Sequence, residues 1–320
     1  MRALLLAAGL GTRLRPITDL LPKCLVPIQG VPLLGWWLEL LKKGGVEKVL
    51  INLHYHAPLV ERFLRQSAYA DFAETVYEPE LLGTGGTLLR NRSFFEVNDG
   101  PLMLVHADNL SCFPVNDFAL RHREAGKPLT MMTFATETPE TCGILELDQA
   151  GVVRGFHEKV KNPPGNLANG AVYVFDGPDI FRRLTRAGGP FIDLSEQILP
   201  SYLGEAVTYH NQTYHRDIGS LAMYLAAHQD LSFPICMQPS PALIPWITSA
   251  TDLTVDQFEK DLAQRLQDGL QAPVEHRPTY DPSYRPKSQV IVYGQVDPGF
   301  SVREHFLKTG SIAIPGFIAS

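Results

Sequence analysis

Residues 3–28, ALLLAAGLGTRLRPITDLLPKCLVPI, join an apolar run to a glycine-bearing turn and closely spaced cations. Gly9 and Gly11 let the backbone approach a ligand with no side chain in the way. A strand that ends in such a turn presents its N–H groups to an anion. Arg13 adds a planar guanidinium that can grip phosphate oxygens at two points, and Lys23 adds a mobile point charge. Across residues 1–38 the charged side chains are Arg2, Arg13, Arg15, Lys23 and a single acid, Asp19. A basic segment in a chain of formal net charge −6 points to an anionic ligand. Two standard phosphate loops are excluded. A dinucleotide fingerprint requires a third glycine where Leu14 stands, and the sole Gly-Lys, Gly126-Lys127, runs into Pro128 instead of the Ser or Thr of a Walker A loop.

The elements that must position this turn alternate in type. Arg2–Ala8 reads as an apolar strand and Gly9–Pro16 as a loop. Pro32–Lys43 reads as a helix that is apolar on most faces, with Gly44 at its end. Val46–Leu53 is the next strand, Thr87–Phe95 a helix, and Pro101–His106 a strand ending at Ala107-Asp108-Asn109. Leu129–Ala135, Ile144–Leu147, Val152–His157 and Ala171–Phe175 complete the strand set. Strands separated by helices predict a doubly wound, mostly parallel, Rossmann-like α/β sheet. Its ligands belong beyond the carboxyl ends of the strands, at the loops after Ala8 and His106.

The composition bounds the rest. With 320 residues and 45% hydrophobic content, the chain can form a large domain, read as residues 1–231, and a smaller extension, residues 232–320. Acidic net charge argues against nucleic acid or an anionic membrane as partner. No stretch approaches the ~18–20 apolar residues of a membrane span, and the opening MRALLLAAGLG lacks the apolar core of a signal peptide. Cys24, Cys112, Cys142 and Cys236 form no CxxC pair and read as free thiols of a reducing cytoplasm. In the extension, Pro234–Pro245 reads as a linker. Thr254–Asp268 reads as a helix with Thr254 and Gln257 as a capping box, Val255, Phe258, Leu262 and Leu266 on one face, and Gly269 closing it. Its apolar stripe should pack on the large domain or on a second copy, which makes a homo-oligomer an expectation. A proline-rich run, Pro278–Pro286, and a strand, Gln289–Tyr293, follow, with no repeat or hexapeptide periodicity.

The run Leu6-Ala7-Ala8-Gly9-Leu10-Gly11-Thr12-Arg13-Leu14-Arg15-Pro16-Ile17-Thr18, with Pro22-Lys23-Cys24-Leu25-Val26-Pro27, resembles the signature of the sugar-phosphate nucleotidyltransferases. The resemblance extends through Leu82-Gly83-Thr84-Gly85-Gly86, Ala107-Asp108, Cys142-Gly143-Ile144, Glu158-Lys159, Asn169 and Arg216-Asp217-Ile218-Gly219-Ser220, and it is nearest the mannose-1-phosphate guanylyltransferase branch. Departures are Cys24 for a proline, Ala107 for a glycine, Cys142 for a tyrosine, Val160 for a proline and His215 for a tryptophan. The resemblance implies a nucleotide-diphospho-sugar transferase fold and a reaction of nucleoside triphosphate with sugar 1-phosphate. Arg13 and Lys23 would act on the phosphates, and Asp108 and Asp217 would bind Mg²⁺. Leu6, Ala8, Gly9, Gly11, Thr12, Gly83, Gly85 and Gly86 would line the nucleotide side; Gly143, Glu158, Lys159 and Asn169 would line the sugar-phosphate side.

That inventory suits the chemistry. A phosphate monoester with a second pKa of about 6 is already a nucleophile at neutral pH, so no strong base is required. Repulsion between two anions and charge on the leaving pyrophosphate are the difficulties, and cations address both. Taken without the resemblance, Asp108 and Asp217 read as turn or helix-start acids, and Glu158-Lys159 as a surface pair. His54 and His56 read as loop histidines, because no third metal ligand is spaced with them. Competing readings are a uridylyl- or cytidylyltransferase, a silent nucleotide-sugar sensor, and a dehydrogenase. GTP with a mannose-like or heptose 1-phosphate is the expected pair, with Glu80 a candidate acceptor for the guanine edge.

Overall fold

The computed structural model describes residues 1–28, 31–97, 100–230, 255–279, 284, 286–288, 290–296, 305, 308–309 and 311–318. Its first half alternates strand and helix: β1 (Arg2–Leu6), the short antiparallel pair β2 (Pro27–Ile28) and β3 (Val31–Pro32), α1 (Leu33–Lys43), β4 (Val49–Leu53), α2 (Ala57–Gln66), β5 (Ala73–Tyr77), α3 (Thr84–Arg90), α4 (Arg92–Phe95) and β6 (Leu102–His106). Then come β7 (Asn109–Cys112), α5 (Val115–Ala125), β8 (Leu129–Ala135), β9 (Gly143–Leu147), β10 (Val153–Glu158), β11 (Leu167–Phe175), α6 (Gly177–Ala187), β12 (Ala206–His210), β13 (Tyr214–Asp217) and α7 (Leu221–Gln229). The extension holds α8 (Val255–Leu270), β14 (Val274–Thr279), β15 (Val290–Val296) and β16 (Ile312–Ile318).

The main sheet is doubly wound around β1, which lies between β4 and β6 with all three parallel, and β5 extends the parallel set at the edge. Leu4 stands opposite Leu50 and Leu104, so buried apolar side chains meet across the middle of the sheet. Such a strand is apolar on both faces because helices cover both. β11 runs antiparallel beside β6 and carries β8 and β9 with it, so the half after Asp108 is a mixed sheet attached to the parallel core.

Most expected elements fall where periodicity puts them, within a residue or a few. α1 starts at Leu33 because Pro32 pairs in β3. The helix expected over Thr87–Phe95 begins three residues earlier, after Gly83 in a positive-φ conformation, and breaks at Asn91 into α3 and α4. In the extension, Gly269 does not close α8, which continues to Leu270. A Cβ there would run into Leu221 Cδ1 and lie 2.9 Å from Pro16 Cδ, so the glycine permits close helix approach instead of a cap. Leu262 and Leu266 are fully buried in the same core as Ile17 and Leu221, so that half of the stripe is covered within the chain. Thr254, the linker Pro234–Pro245, Cys236, Gln289 and the side chains of Val255 and Phe258 lie outside the described residues. The three last strands stack in parallel, Val274 opposite Val290 and Val290 opposite Ile312. Their unequal sequence spacing explains why no repeat is legible. Among the described residues no helix is long and apolar enough to cross a membrane.

α1 also braces the loop after β6. Trp37, 1% exposed, donates its indole N–H to the Asn109 carbonyl at 2.8 Å. Trp37→Phe should keep the packing but leave that carbonyl without its donor, lowering unfolding free energy by about 1–3 kcal/mol. Urea denaturation checks this; an unchanged midpoint would show that another group satisfies the carbonyl.

Candidate functional site

The carboxyl ends of β1, β4, β5 and β6 open onto one cleft of 470 Å³. Among the residues expected at a site, Leu6, Ala8, Gly9, Gly11, Thr12, Arg13, Lys23, Gly83 and Asp108 line it. Gly11 takes φ 61°, and a Cβ there would lie 2.9 Å from Thr18 Cγ2 and 3.1 Å from Lys23 Cβ. The turn therefore requires glycine for conformation and for space. Thr18 fixes it from behind, donating its hydroxyl to the Gly11 carbonyl at 2.8 Å.

Lys23 is buried, and its ammonium lies 3.0 Å from Asp108 Oδ2 and 3.8 Å from Asp217 Oδ1. The two acids come from distant sequence but neighbouring backbone. β13 pairs antiparallel with β7 and sets Asp217 opposite Asn109, one residue past Asp108. For Asp108, burial works against ionisation, but the Lys23 ammonium and then His106 outweigh it and hold the carboxyl below its usual range. For Asp217, burial pushes the carboxyl upward. Lys23 opposes that shift, Asp108 reinforces it, and Arg13 and Lys159 add further opposing positive charge. Arg13 is close by, its Nη2 3.3 Å from where a Gly219 Cβ would stand. Two carboxylates and one ammonium leave room for further positive charge. Among the described residues no group of three His, Cys, Asp or Glu could hold a metal. Asp108 and Asp217 already gather around one cation, however, and Mg²⁺ needs only one or two carboxylates when phosphate oxygens and water complete its shell. The acid pair fits that ion.

The other half of the cleft holds residues that spacing alone did not single out. Asn52 accepts the Ala7 N–H at 2.8 Å and donates to Glu78 Oε1 at 3.2 Å. The Thr87 hydroxyl donates to the same Oε1 at 2.6 Å. Glu78 Oε2 is buried with no hydrogen-bond partner among the described residues, and Glu78 lines the cleft. Glu80, the candidate acceptor of the sequence reading, is exposed and does not line it. A strand-end position after β5 was the available signal for Glu78. Gly85 and Gly86 stand behind the cleft wall, and both N–H groups donate to the Ile192 carbonyl, at 2.8 and 3.2 Å.

The four remaining positions lie on β9, β10 and β11 or, for Lys159, just after β10, and none lines this cleft. Gly143 pairs with Glu158, and a Gly143 Cβ would lie 2.5 Å from Glu158 Oε2, so glycine makes room for the carboxylate. Lys159 takes φ 50° and pairs with Glu158 at 3.1 Å. Asn169 donates to Tyr173 Oη at 2.7 Å and accepts the Ala171 N–H at 3.1 Å, which ties it into the bulge of β11. His215 stacks on Phe134, with ring centroids 4.1 Å apart. Burial pushes its pKa down to about 4, so it adds no positive charge at neutral pH.

The chain is a doubly wound α/β protein with a glycine turn, an arginine and a lysine-bridged acid pair at the carboxyl edge of its sheet. Residues 2–232 match the family model described as Nucleotidyl transferase, and the chain belongs to that family. It is 28% identical over 238 residues to a mannose-1-phosphate guanylyltransferase catalytic subunit beta of Drosophila pseudoobscura pseudoobscura, covering 74% of this chain and 62% of that one. A UTP–glucose-1-phosphate uridylyltransferase of Synechocystis is 29% identical over 221 residues, covering 60% and 57%. The chain thus spans less than two thirds of these relatives' lengths. In fold it is similar to a putative glucose-1-phosphate thymidylyltransferase from Bacillus anthracis, with TM-score 0.64, 19% identity and coverage of 71% and 93%.

Gly83 lies between the end of β5 and the start of α3. It takes φ 78°, and a Cβ would run into the Ile192 carbonyl oxygen. Gly83→Ala should lower stability by about 1–3 kcal/mol through backbone strain alone. Thermal unfolding beside Gly151→Ala, at a positive φ with no atom within 4 Å of the added Cβ, separates strain from collision. Equal losses in the two variants would remove the collision with Ile192 from the account.

Proposed function

We propose that this chain is a sugar-1-phosphate nucleotidyltransferase, joining a nucleoside triphosphate to a sugar 1-phosphate with release of pyrophosphate. The observation that carries this reading is the convergence of the Gly9–Arg13 turn with Lys23, Asp108 and Asp217 at one cleft edge. A sugar-phosphate oxygen attacks the α-phosphorus; that P–O bond forms as the bond from the α-phosphorus to its bridging oxygen breaks, and pyrophosphate departs with the electron pair. The turn's N–H groups and Arg13 hold the phosphates and meet the charge that grows on the leaving group. Lys23 keeps the two acids oriented and offers its ammonium to phosphate. Glu158 contacts the sugar and Lys159 holds its phosphate, with Gly143 giving the carboxylate its space and Asn169 fixing the adjoining strand. When bound, Mg²⁺ would supply charge neutralisation on the phosphate oxygens. The buried thiol of Cys24 suits a reducing cytoplasm.

GTP is the nucleotide favoured by Glu78. Guanine presents N1–H and N2–H₂ donors on one edge, and a buried carboxylate oxygen without a partner is an acceptor for them. The sugar favoured is mannose-like, from the guanylyltransferase likeness; Cys142 is a departure on the sugar side and Ala107 one beside Asp108, and a heptose is the alternative.

Two tests follow from this geometry. Excess EDTA should abolish pyrophosphate release and added Mg²⁺ should restore it. Asp108→Asn should reduce kcat by roughly 100-fold or more while the fold persists by circular dichroism. Full turnover in EDTA would reject the metal. The second test is initial rates for GTP, UTP, CTP, ATP and dTTP, each with mannose, glucose and heptose 1-phosphates. GTP with mannose 1-phosphate should lead, and Glu78→Gln should shrink its advantage over UTP by about tenfold. A pyrimidine preference would overturn the guanylyl assignment and leave the reaction class; no pyrophosphate from any pair would favour a silent nucleotide-sugar sensor.

A further inference from the structure

The extension takes no part in the chemistry above, yet α8 presses on the segment that shapes the phosphate turn. Leu262 and Leu266 are buried with Leu14, Ile17 and Leu221 in one core. At Gly269 the helix backbone comes so close that a Cβ would lie 2.9 Å from Pro16 Cδ. Between these contacts Arg265 Nη1 donates to the Pro16 carbonyl at 3.2 Å and lies 3.9 Å from Asp19 Oδ2. Asp261 accepts from Arg265 Nε at 3.1 Å and aims the guanidinium. The Pro16 carbonyl also accepts the Asp19 N–H at 3.2 Å, closing the single turn Ile17–Asp19. Thr18, in the middle of that turn, donates to the Gly11 carbonyl at 2.8 Å. Arg265 is therefore two hydrogen-bonded steps from the glycine turn and does not line the cleft.

We infer that Arg265 is a positioning residue for nucleotide binding, with α8 acting as a backing that holds the Gly9–Arg13 turn through Pro16 and Thr18. The inference rests on the reading of that turn as the triphosphate cradle. The turn is built from one-turn helices at Thr12–Leu14 and Ile17–Asp19, with few backbone bonds of its own. Segments of that kind open at low free-energy cost unless something outside them fixes them. A cradle that is already ordered binds its anion without losing that freedom on binding. Gly143, Glu158 and Asn169 are carried by β9, β10 and β11, so loosening the turn weakens the nucleotide side selectively.

The experiment uses the full chain with Mg²⁺ and whichever of GTP, UTP, CTP, ATP or dTTP the wild type binds best by calorimetry. Arg265→Ala should raise nucleotide Kd and KM about tenfold, the loss expected for one hydrogen bond from a charged group, with sugar-phosphate KM within about twofold. Arg265→Lys, which keeps the charge and loses the fork, should recover part of the loss. Asp261→Asn, which only loosens the aim of the guanidinium, should shift Kd in the same direction by less, and it serves if Arg265→Ala does not fold. Gln264→Ala, on the exposed face of the same helix, should change nothing. In the nucleotide-free protein, amides of residues 9–19 should exchange hydrogen faster in Arg265→Ala. Wild-type Kd in both Arg265→Ala and Asp261→Asn, or equal rises in both KM values, would overturn the positioning role alone. A wild type that binds none of the five nucleotides would overturn the functional reading and this inference together.

Discussion

Lys23 lies between Asp108 and Asp217, 3.0 Å from one and 3.8 Å from the other, and the rest of the molecule is arranged to keep it there. Two carboxylates this close repel, and burial makes the repulsion worse. The ammonium offsets both effects, and the trio retains one negative charge for a further cation. Holding it takes three separate supports. β6 delivers Asp108 at the carboxyl end of the parallel core, the β7–β13 ladder brings Asp217 beside it, and the turn over Lys23–Leu25 buries the lysine stem. Trp37 ties the first two supports to α1 through the Asn109 carbonyl.

How far this was legible in the sequence depended on how local the cause was. β1 and its glycine turn are one continuous stretch, so apolar run, φ-permissive residues and cations could be read together. Asp108 stands at a strand end, where position alone reads as a turn acid; the family resemblance singled it out. Glu78 was not singled out, because its burial is decided by Asn52 on the neighbouring strand and Thr87 on the following helix. Spacing could not distinguish it from Glu80, two residues on and exposed. Gly85 and Gly86 read as ligand-facing, yet their N–H groups serve the Ile192 carbonyl more than a hundred residues away. Gly269 read as a helix stop for the same reason: a close approach and a cap both require glycine, and only the neighbour tells them apart.

The cleft is electrostatically divided. Arg13, Lys23 and the turn occupy one margin, where negative phosphate charge would gather. The Asn52–Thr87–Glu78 network occupies the other, neutral donors surrounding one acid with a spare oxygen. β9, β10 and β11 form a third surface on the antiparallel side.

The β7–β13 ladder encloses everything from Phe113 to Thr213, so that whole stretch leaves and returns at neighbouring backbone positions. Its length does not enter the distance between the two acids. Residues may be gained, lost or exchanged across β8 to β12 and the acid pair keeps its separation, provided the ladder keeps its register. A one-residue slip within either short strand is different, because it turns alternate side chains to the opposite face and carries Asp217 away from Asp108. Evolution can thus remodel β8 to β12 as an insert while the geometry of the acid pair is inherited intact.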